Sequence, residues 1–255
     1  MNILSQTIIA HRGESFDAPE NSLSSIEQAW KRGANAVEID VHLTADNEVL
    51  VIHDKHTGRV GDKKLYVKKS NLTELKCVDI GRKKSIKFID ERIPTLIEIL
   101  KTVPSEAQII IEIKCGKEII NPLIQILKTS TLRNSQIEII AFNFGVITEI
   151  KKQAPHYKAL WLLDLDYYLP HWLIRINLNK IINKVKKSNL DGVNVWAGKV
   201  IKHSFVKAFK KEGLLVYVWT VNDLYKAQNV INYGVDAITT DRAEWLTKQL
   251  VGTKQ

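Results

Sequence analysis

Cysteine, methionine and proline are scarce in this chain of 255 residues, which has two cysteines, one methionine and six prolines. Cys77 and Cys115 do not make a disulfide framework or a cysteine-based zinc site, so a reducing, cytoplasmic setting is the expectation. No apolar run approaches the roughly 20 residues that a membrane-spanning helix needs. The opening residues, MNILSQTIIA, carry no basic leader and no small-residue cleavage site, so a signal peptide is not expected. No G-x-G-x-x-G follows the first apolar run, which argues against a dinucleotide-binding fold. Neither an RNA-binding aromatic signature nor a zinc-finger spacing occurs, and nucleic acid is not expected as a partner.

What is present is a large apolar fraction, 45% of the residues, and a formal charge of +9. The lysines are scattered along helical stretches such as INKVKKSN, as on a solvated basic surface. That charge permits weak association with anionic surfaces but no stable membrane insertion. Oligomeric state is not legible.

Short apolar runs alternate with segments of helical period, the pattern of βα units and a parallel sheet. The candidate strands are TIIAH, AVEIDVH, QIIIEIK, QIEIIAF, KALWLL, GVNVW, LLVYVWT and DAITT, each followed by a plausible helix. Eight such units predict an α/β fold, a (β/α)8 barrel, in a single domain over residues 1–255. In SLSSIEQAWKRG, Asn21 or Ser22 caps the helix, Ile26, Ala29 and Trp30 share a face, and Gly33 stops it. After VLVIHD the rhythm breaks, and residues 55 to about 93 read as an inserted loop-and-helix segment, over a site or partly mobile.

Within AVEIDVH, Glu38, Asp40 and His42 share one face while Val37, Ile39 and Val41 share the other. In IIIEIK, Glu112 and Lys114 lie opposite Ile111 and Ile113. Helices cover the outside of a barrel, so the aliphatic set belongs outward and the charged set faces the axis. Isolated buried carboxylates are costly, and three in one small volume repel. A divalent cation removes the problem, and hard oxygen ligands suit magnesium or calcium better than zinc. The structural alternative is that Arg12 and Lys114 alone neutralise the group. His11 ends the first strand and His53 ends VLVIH, placing two imidazoles at strand C-termini, where this fold builds its active sites. Near-neutral imidazoles can serve as base and acid on opposite sides of a reacting centre. Arg12 offers a bidentate grip on phosphate or carboxylate, and Gly13 lets the backbone pass close by.

The ordered set AHRG, PENS, VEIDVHLTADNEVLVIHD, RIPTL, IEIK, WTVN and GVDAITTD resembles the glycerophosphodiester phosphodiesterase family, from residue 8 to about 242. The resemblance implies a (β/α)8 barrel with a small insertion after the second unit. It implies metal-dependent hydrolysis of a small-molecule glycerophosphodiester to glycerol 3-phosphate and an alcohol, with one Mg2+ or Ca2+. It makes Glu38, Asp40 and Glu112 the metal ligands, His11 and His53 the acid–base pair, and Arg12 and Lys114 the phosphate contacts. Trp219 is similar to the aromatic residue lining the family's pocket. Ser22 stands in place of the usual threonine, Ala141 in place of serine, and Ala243 in place of a proline soon after Asp241.

His11 is read as base and His53 as acid; the nucleophile is either water or the neighbouring glycerol hydroxyl. Asp17 and Glu20 either reach the metal through water or solubilise their loop. His42 is placed beyond the strand's end, and Cys115 is read as a small outward-facing residue. Trp196 and Phe142 either shape the pocket or pack the core, and LWLLDLDYYLPHWL is either a lip of the mouth or a buried helix entrance. Rival readings are a lysophospholipase D or a cyclising phospholipase-like phosphodiesterase, and a non-catalytic binding barrel. A zinc amidohydrolase would need His-x-His on the first strand, where this chain has HRG.

Overall fold

The segment AVEIDVHL is buried along its whole length, as a strand covered on both faces must be. It is the second strand of the barrel seen in the computed structural model, which describes residues 7–166 and 177–252. The strands are β1 (Thr7–His11), β2 (Ala36–Leu43), β3 (Val49–Val51), β4 (Gln108–Ile113), β5 (Ile137–Ala141), β6 (Lys158–Leu163), β7 (Gly192–Trp196), β8 (Leu215–Trp219) and β9 (Ala237–Thr240). All but β3 pair in parallel, and β1 pairs with both β2 and β9, so among the described residues eight parallel strands close into a (β/α)8 barrel.

Helices α1 (Leu23–Lys31), α3 (Leu96–Leu100), α4 (Ile120–Thr129), α5 (Phe144–Gln153), α6 (Leu178–Lys187), α7 (His203–Lys211), α8 (Leu224–Tyr233) and α9 (Ala243–Gly252) connect successive strands or follow the last. The short α2 (Leu72–Lys76) lies between β3 and α3. No helix of the described residues is long and apolar enough to cross a membrane.

The strand alternation divides the core in two. Val37, Ile39, Val41, Ile109, Ile111 and Ile113 pack with helix residues such as Leu123 and Ile124. Ile9, Ile110, Ile140, Leu160 and Tyr217 form a separate cluster inside the barrel. The expected outward aliphatic face of β2 and β4 is therefore found, and the barrel is plugged below its mouth by apolar side chains.

The stretch VLVIH departs from its reading as a strand ending at the mouth. β3 runs antiparallel to β2, pairing Val51 with Val41 and Val49 with Leu43. The Thr44–Glu48 turn reverses the chain, with Thr44 N–H donating to the Glu48 carbonyl at 3.0 Å. The return path brings the Ile52 N–H to the Asp40 carbonyl at 2.9 Å, and His53 follows. His53 thus reaches the mouth on a hairpin arm rather than on a barrel strand. The same hairpin keeps β2 in strand geometry through His42, which the sequence reading had placed beyond the strand end.

The segment after the hairpin has a small core of its own. Leu50, Ile52, Val67, Leu75, Val78, Ile80 and Ile93 are buried together. Each such aliphatic side chain contributes about 1.5–3 kcal/mol relative to exposure.

At the first loop, Ser22 caps α1 by accepting the Ser25 N–H at 3.1 Å. That leaves Asn21, at φ +57°, for another task described below. Gly13 has φ +81°, and a Cβ there would lie 2.6 Å from the Ser25 backbone carbon. Gly13→Ala is expected to destabilise the fold by about 1–3 kcal/mol through overpacking, with left-handed strain added. A lower urea midpoint at unchanged m-value checks this; a midpoint equal to that of the parent contradicts it.

Candidate active site

Strand register assembles the floor of the site. His11 pairs with Glu38 across β1 and β2, and Asp40 pairs with Glu112 across β2 and β4. One ligand atom from each of Glu38, Asp40 and Glu112 lies within 4.8 Å of the others, and all three residues are buried. Burial, and then the charges of Asp40 and Glu112, push the Glu38 carboxyl well above its usual range. Burial and the Asp40 charge push Glu112 up to about 7. Burial alone would raise Asp40 too, but the Arg12 guanidinium and Lys114 ammonium outweigh it and hold Asp40 below the usual range.

The cations and one amide fix this floor. Arg12 Nε stands 3.0 Å from Asp40 Oδ2, and the Arg12 backbone N–H donates to Glu38 Oε2 at 3.1 Å. Lys114 Nζ is 2.6 Å from Glu112 Oε1 and 3.6 Å from Asp40 Oδ1. Asn21 clamps Asp40 twice: its amide donates to Oδ2 at 2.8 Å, and its carbonyl accepts the Asp40 N–H at 3.1 Å. Even so, Glu38 Oε1 and Asp40 Oδ1 are buried without a hydrogen-bond partner. A clustered, all-oxygen trio with orphaned oxygens on two of its members fits a hard divalent cation, magnesium or calcium.

Each candidate histidine is backed by a carboxylate. His11 Nδ1 donates to Asp241 Oδ1 at 2.6 Å, leaving Nε2 4.0 Å from Glu38 Oε2. Asp241 also accepts from Ser15 Oγ at 3.2 Å and Asn222 Nδ2 at 2.5 Å. These donors outweigh burial and hold the Asp241 carboxyl down at about 2. His53 Nδ1 donates to Asp54 Oδ1 at 2.6 Å, and Arg59 Nε reaches Asp54 Oδ2 at 2.7 Å. Arg59 and His53 together outweigh burial and hold Asp54 at about 2. Burial pulls the His53 imidazole below its ordinary value. The buried His42 donates from Nε2 to the His53 carbonyl at 3.0 Å, holding the hairpin arm.

A cavity of about 80 Å³ opens over this floor, lined by His11, Arg12, Glu38, His53, Glu112, Lys114 and Trp219, among others. Asp40 lies beneath it, fully buried. The eight residues singled out in the sequence therefore meet at one place. Trp219 packs edge-on against Phe142, with ring centres 5.5 Å apart, and against Trp196 at 5.1 Å. Phe142 and Trp196 therefore belong to the aromatic wall beside Trp219.

The weaker candidates separate. Asp17 pairs with Arg32 and is not part of the cluster. Glu20 is neither a loop solubiliser nor among the grouped carboxylates; it ties Arg12, at 3.0 Å, to Arg59, at 2.6 Å. Cys115 is half-buried against the outer core cluster and lines a larger cavity at the mouth, and burial pushes its thiol up to about 11. Of the aromatic stretch after β6, residues 167–173 lie outside the described residues.

Sequence reading passed over Asp54, Arg59, Asn222 and Asp241 as site residues. Asp54 could have been found from its place after His53. Asp241 required barrel closure: Ala10 pairs with Thr240, so the next residues, His11 and Asp241, fall side by side.

The model of the Glycerophosphoryl diester phosphodiesterase family matches residues 11–245. The chain is 33% identical to a glycerophosphodiester phosphodiesterase of Caldanaerobacter subterraneus subsp. tengcongensis over 245 residues, covering 94% of this chain and 95% of that one. It is similar to an Oleispira antarctica phosphodiesterase solved in complex with the product sn-glycerol-3-phosphate, with TM-score 0.85, 26% identity and 96% coverage of each chain. A glycerophosphodiester phosphodiesterase from Thermotoga maritima superposes with TM-score 0.78 at 25% identity, covering 96% of this chain and 98% of that one. A barrel whose mouth gathers these carboxylates, cations and imidazoles, matched over nearly its whole length by that family model, belongs to the glycerophosphoryl diester phosphodiesterase family.

Proposed function

We propose that the chain hydrolyses glycerophosphodiesters to glycerol 3-phosphate and an alcohol. In this reading Glu38, Asp40 and Glu112 hold one divalent ion, Mg2+ or Ca2+, while His11 and His53 move the protons. The observation that carries it is the buried carboxylate trio, with orphaned oxygens on Glu38 and Asp40, beside two imidazoles that each have a carboxylate behind them.

When bound, the ion supplies Lewis-acid polarisation of a phosphoryl oxygen. Arg12 and Lys114 line the same cavity and offset charge on the non-bridging oxygens as the transition state forms. His11 takes the proton of the nucleophile, either water, which gives glycerol 3-phosphate directly, or the adjacent glycerol hydroxyl, which gives a cyclic phosphate that water opens in a second step. Asp241 fixes the Nδ1–H tautomer and stabilises the imidazolium that results, a carboxylate–imidazole logic shared with other hydrolases. His53, as the imidazolium protonated on both nitrogens, gives its Nε2 proton to the departing alkoxide as the phosphorus–oxygen bond breaks, while Asp54 holds the Nδ1–H and favours that charged form. Trp219 offers an apolar surface to the glycerol carbons.

His11→Ala and His53→Ala should each lower turnover of glycerophosphocholine by about 10²–10⁴, with an unchanged circular dichroism spectrum. Near-normal release of glycerol 3-phosphate by both variants defeats the acid–base assignment. Asp241→Asn should lower kcat while leaving KM within about threefold, because it removes stabilisation of a charge that develops only during reaction; a selective rise in KM contradicts the positioning role.

Chelation with EDTA should abolish activity, and Mg2+ or Ca2+ should restore it. Glu38→Gln should weaken calorimetric affinity for the restoring ion. A proton on Glu112 competes with the metal, because its carboxyl in the metal-free protein titrates at about 7. Apparent affinity should therefore fall by at least about tenfold from pH 8 to pH 6 as protonation of Glu112, and of Glu38 with it, increases. Equal affinities at the two pH values contradict Glu112 as a ligand.

A further inference from the structure

A second cavity, of about 900 Å³, shares Glu112, Lys114 and Phe142 with the small one over the carboxylates. One side is formed by the upper ends of β2 and β4, and the other by Lys55, Tyr66, Lys68 and Lys69 of the inserted segment. A phosphodiester has two arms, and the two cavities differ greatly in size. The small one suits the invariant glycerol, which leaves the large groove for the variable alcohol. The proposed acid stands on the same side: His42, which lines the groove, holds the His53 carbonyl, and Lys55 lies two residues beyond His53.

The charge of the groove is uneven. Lys114 is paired with Glu112, and Lys68 faces Glu118 at 3.5 Å. Among the described residues, Lys55 and Lys69 have no carboxylate partner, and both are exposed. The exposed aromatic rings that could receive a quaternary ammonium already have protein cations over them. Lys64 and Lys69 each stand 5.7 Å from the Tyr66 ring centre, and Lys114 stands 5.7 Å from that of Phe142. A choline group would meet like charge beside those rings. A phosphate would meet two uncompensated ammonium groups.

We infer that this groove selects glycerophosphodiesters whose leaving alcohol carries a further phosphate, with Lys55 and Lys69 as the specificity-determining residues. The inference rests on the phosphodiesterase reading above and deepens it. Hydrolysis is unchanged in kind: water is added across the phosphorus–oxygen bond, and the phosphorylated alcohol leaves with the proton.

The test compares glycerophosphoinositol 4-phosphate with glycerophosphoinositol, which differ only by the distal phosphate, and with glycerophosphocholine, all with saturating Mg2+ or Ca2+. The phosphorylated inositol ester should exceed the plain one in kcat/KM by about fivefold to tenfold, as two partly screened contacts allow. Glycerophosphocholine should rank last, and added salt should shrink the preference. Within the Lys55→Glu/Lys69→Glu variant the ratio should fall below about twofold, and the Lys55→Arg/Lys69→Arg variant should retain it. Turnover of all three esters without preference, or a preference that survives charge reversal, overturns the inference while leaving the phosphodiesterase reading intact.

A second readout is calorimetric binding of the same esters to the His53→Ala variant. If no ester is turned over, yet the phosphorylated ester binds tighter than the plain one and loses that advantage on charge reversal, the groove assignment stands and the catalytic reading fails. Equal binding of the two inositol esters overturns the assignment independently of turnover.

Discussion

Repulsion among Glu38, Asp40 and Glu112 is the interaction on which the barrel mouth turns. Two unit charges 4 Å apart repel by about 4 kcal/mol at an effective dielectric of 20, and here three carboxylates offer oxygens within 4.8 Å of one another. Arg12 and Lys114 relieve part of this, most completely for Asp40, which both approach and which Asn21 also holds. Glu38 and Glu112 remain the strained members, and burial adds to their reluctance to ionise. The cations are themselves constrained: Arg12 is shared with Glu20, which also takes Arg59. A network that spends its cations so fully on side chains has room for one more positive charge at its centre.

The same economy explains the two imidazole–carboxylate pairs. Asp241 and Asp54 lie on different elements, one after the last barrel strand and one on the hairpin arm. Each is kept ionised by its histidine together with further donors: Asn222 and Ser15 for Asp241, and Arg59 for Asp54. Each fixes its ring by Nδ1, so that Nε2 is the atom left for other work. His42 adds a backbone contact behind His53. Two rings prepared in the same way from unrelated parts of the chain are better explained by proton transfer than by core packing.

The barrel and most of its floor were legible because period-two alternation and register are local properties. Glu38, Asp40 and Glu112 could be assigned to one interior face from AVEIDVH and IIIEIK alone. Direction was not legible: alternation in VLVIH is the same for a parallel and an antiparallel strand, so His53 was placed at the right mouth for the wrong reason. The turn before it, with Asn47 at φ +63°, carried the missing signal, and the hairpin also extended β2 past the expected end. Asn21 illustrates a different limit. Asn21 and Ser22 were equal candidates for the helix cap, and only three-dimensional packing shows Ser22 capping while Asn21 turns inward to Asp40. Pairings such as His11 with Asp241 depend on barrel closure across 230 positions.

The inserted segment borders the groove beside the barrel mouth. Its own buried cluster, from Leu50 to Ile93, keeps it folded against the mouth, and a bridge from Leu50 to Thr95 returns it to α3. Arg59 reaches inward to Asp54 and Glu20, whereas Lys55, Tyr66 and Lys69 face the groove. A change at the groove positions alters the surface offered to the leaving alcohol but leaves the strand-borne carboxylates, Arg12 and His11 where the barrel register holds them. The two cavities share Glu112 and Lys114, and His42 ties the groove to the arm carrying His53. On the proposed reading, substrate preference shifts through a few exposed side chains, while shifts in the path of the arm are felt in proton transfer as well.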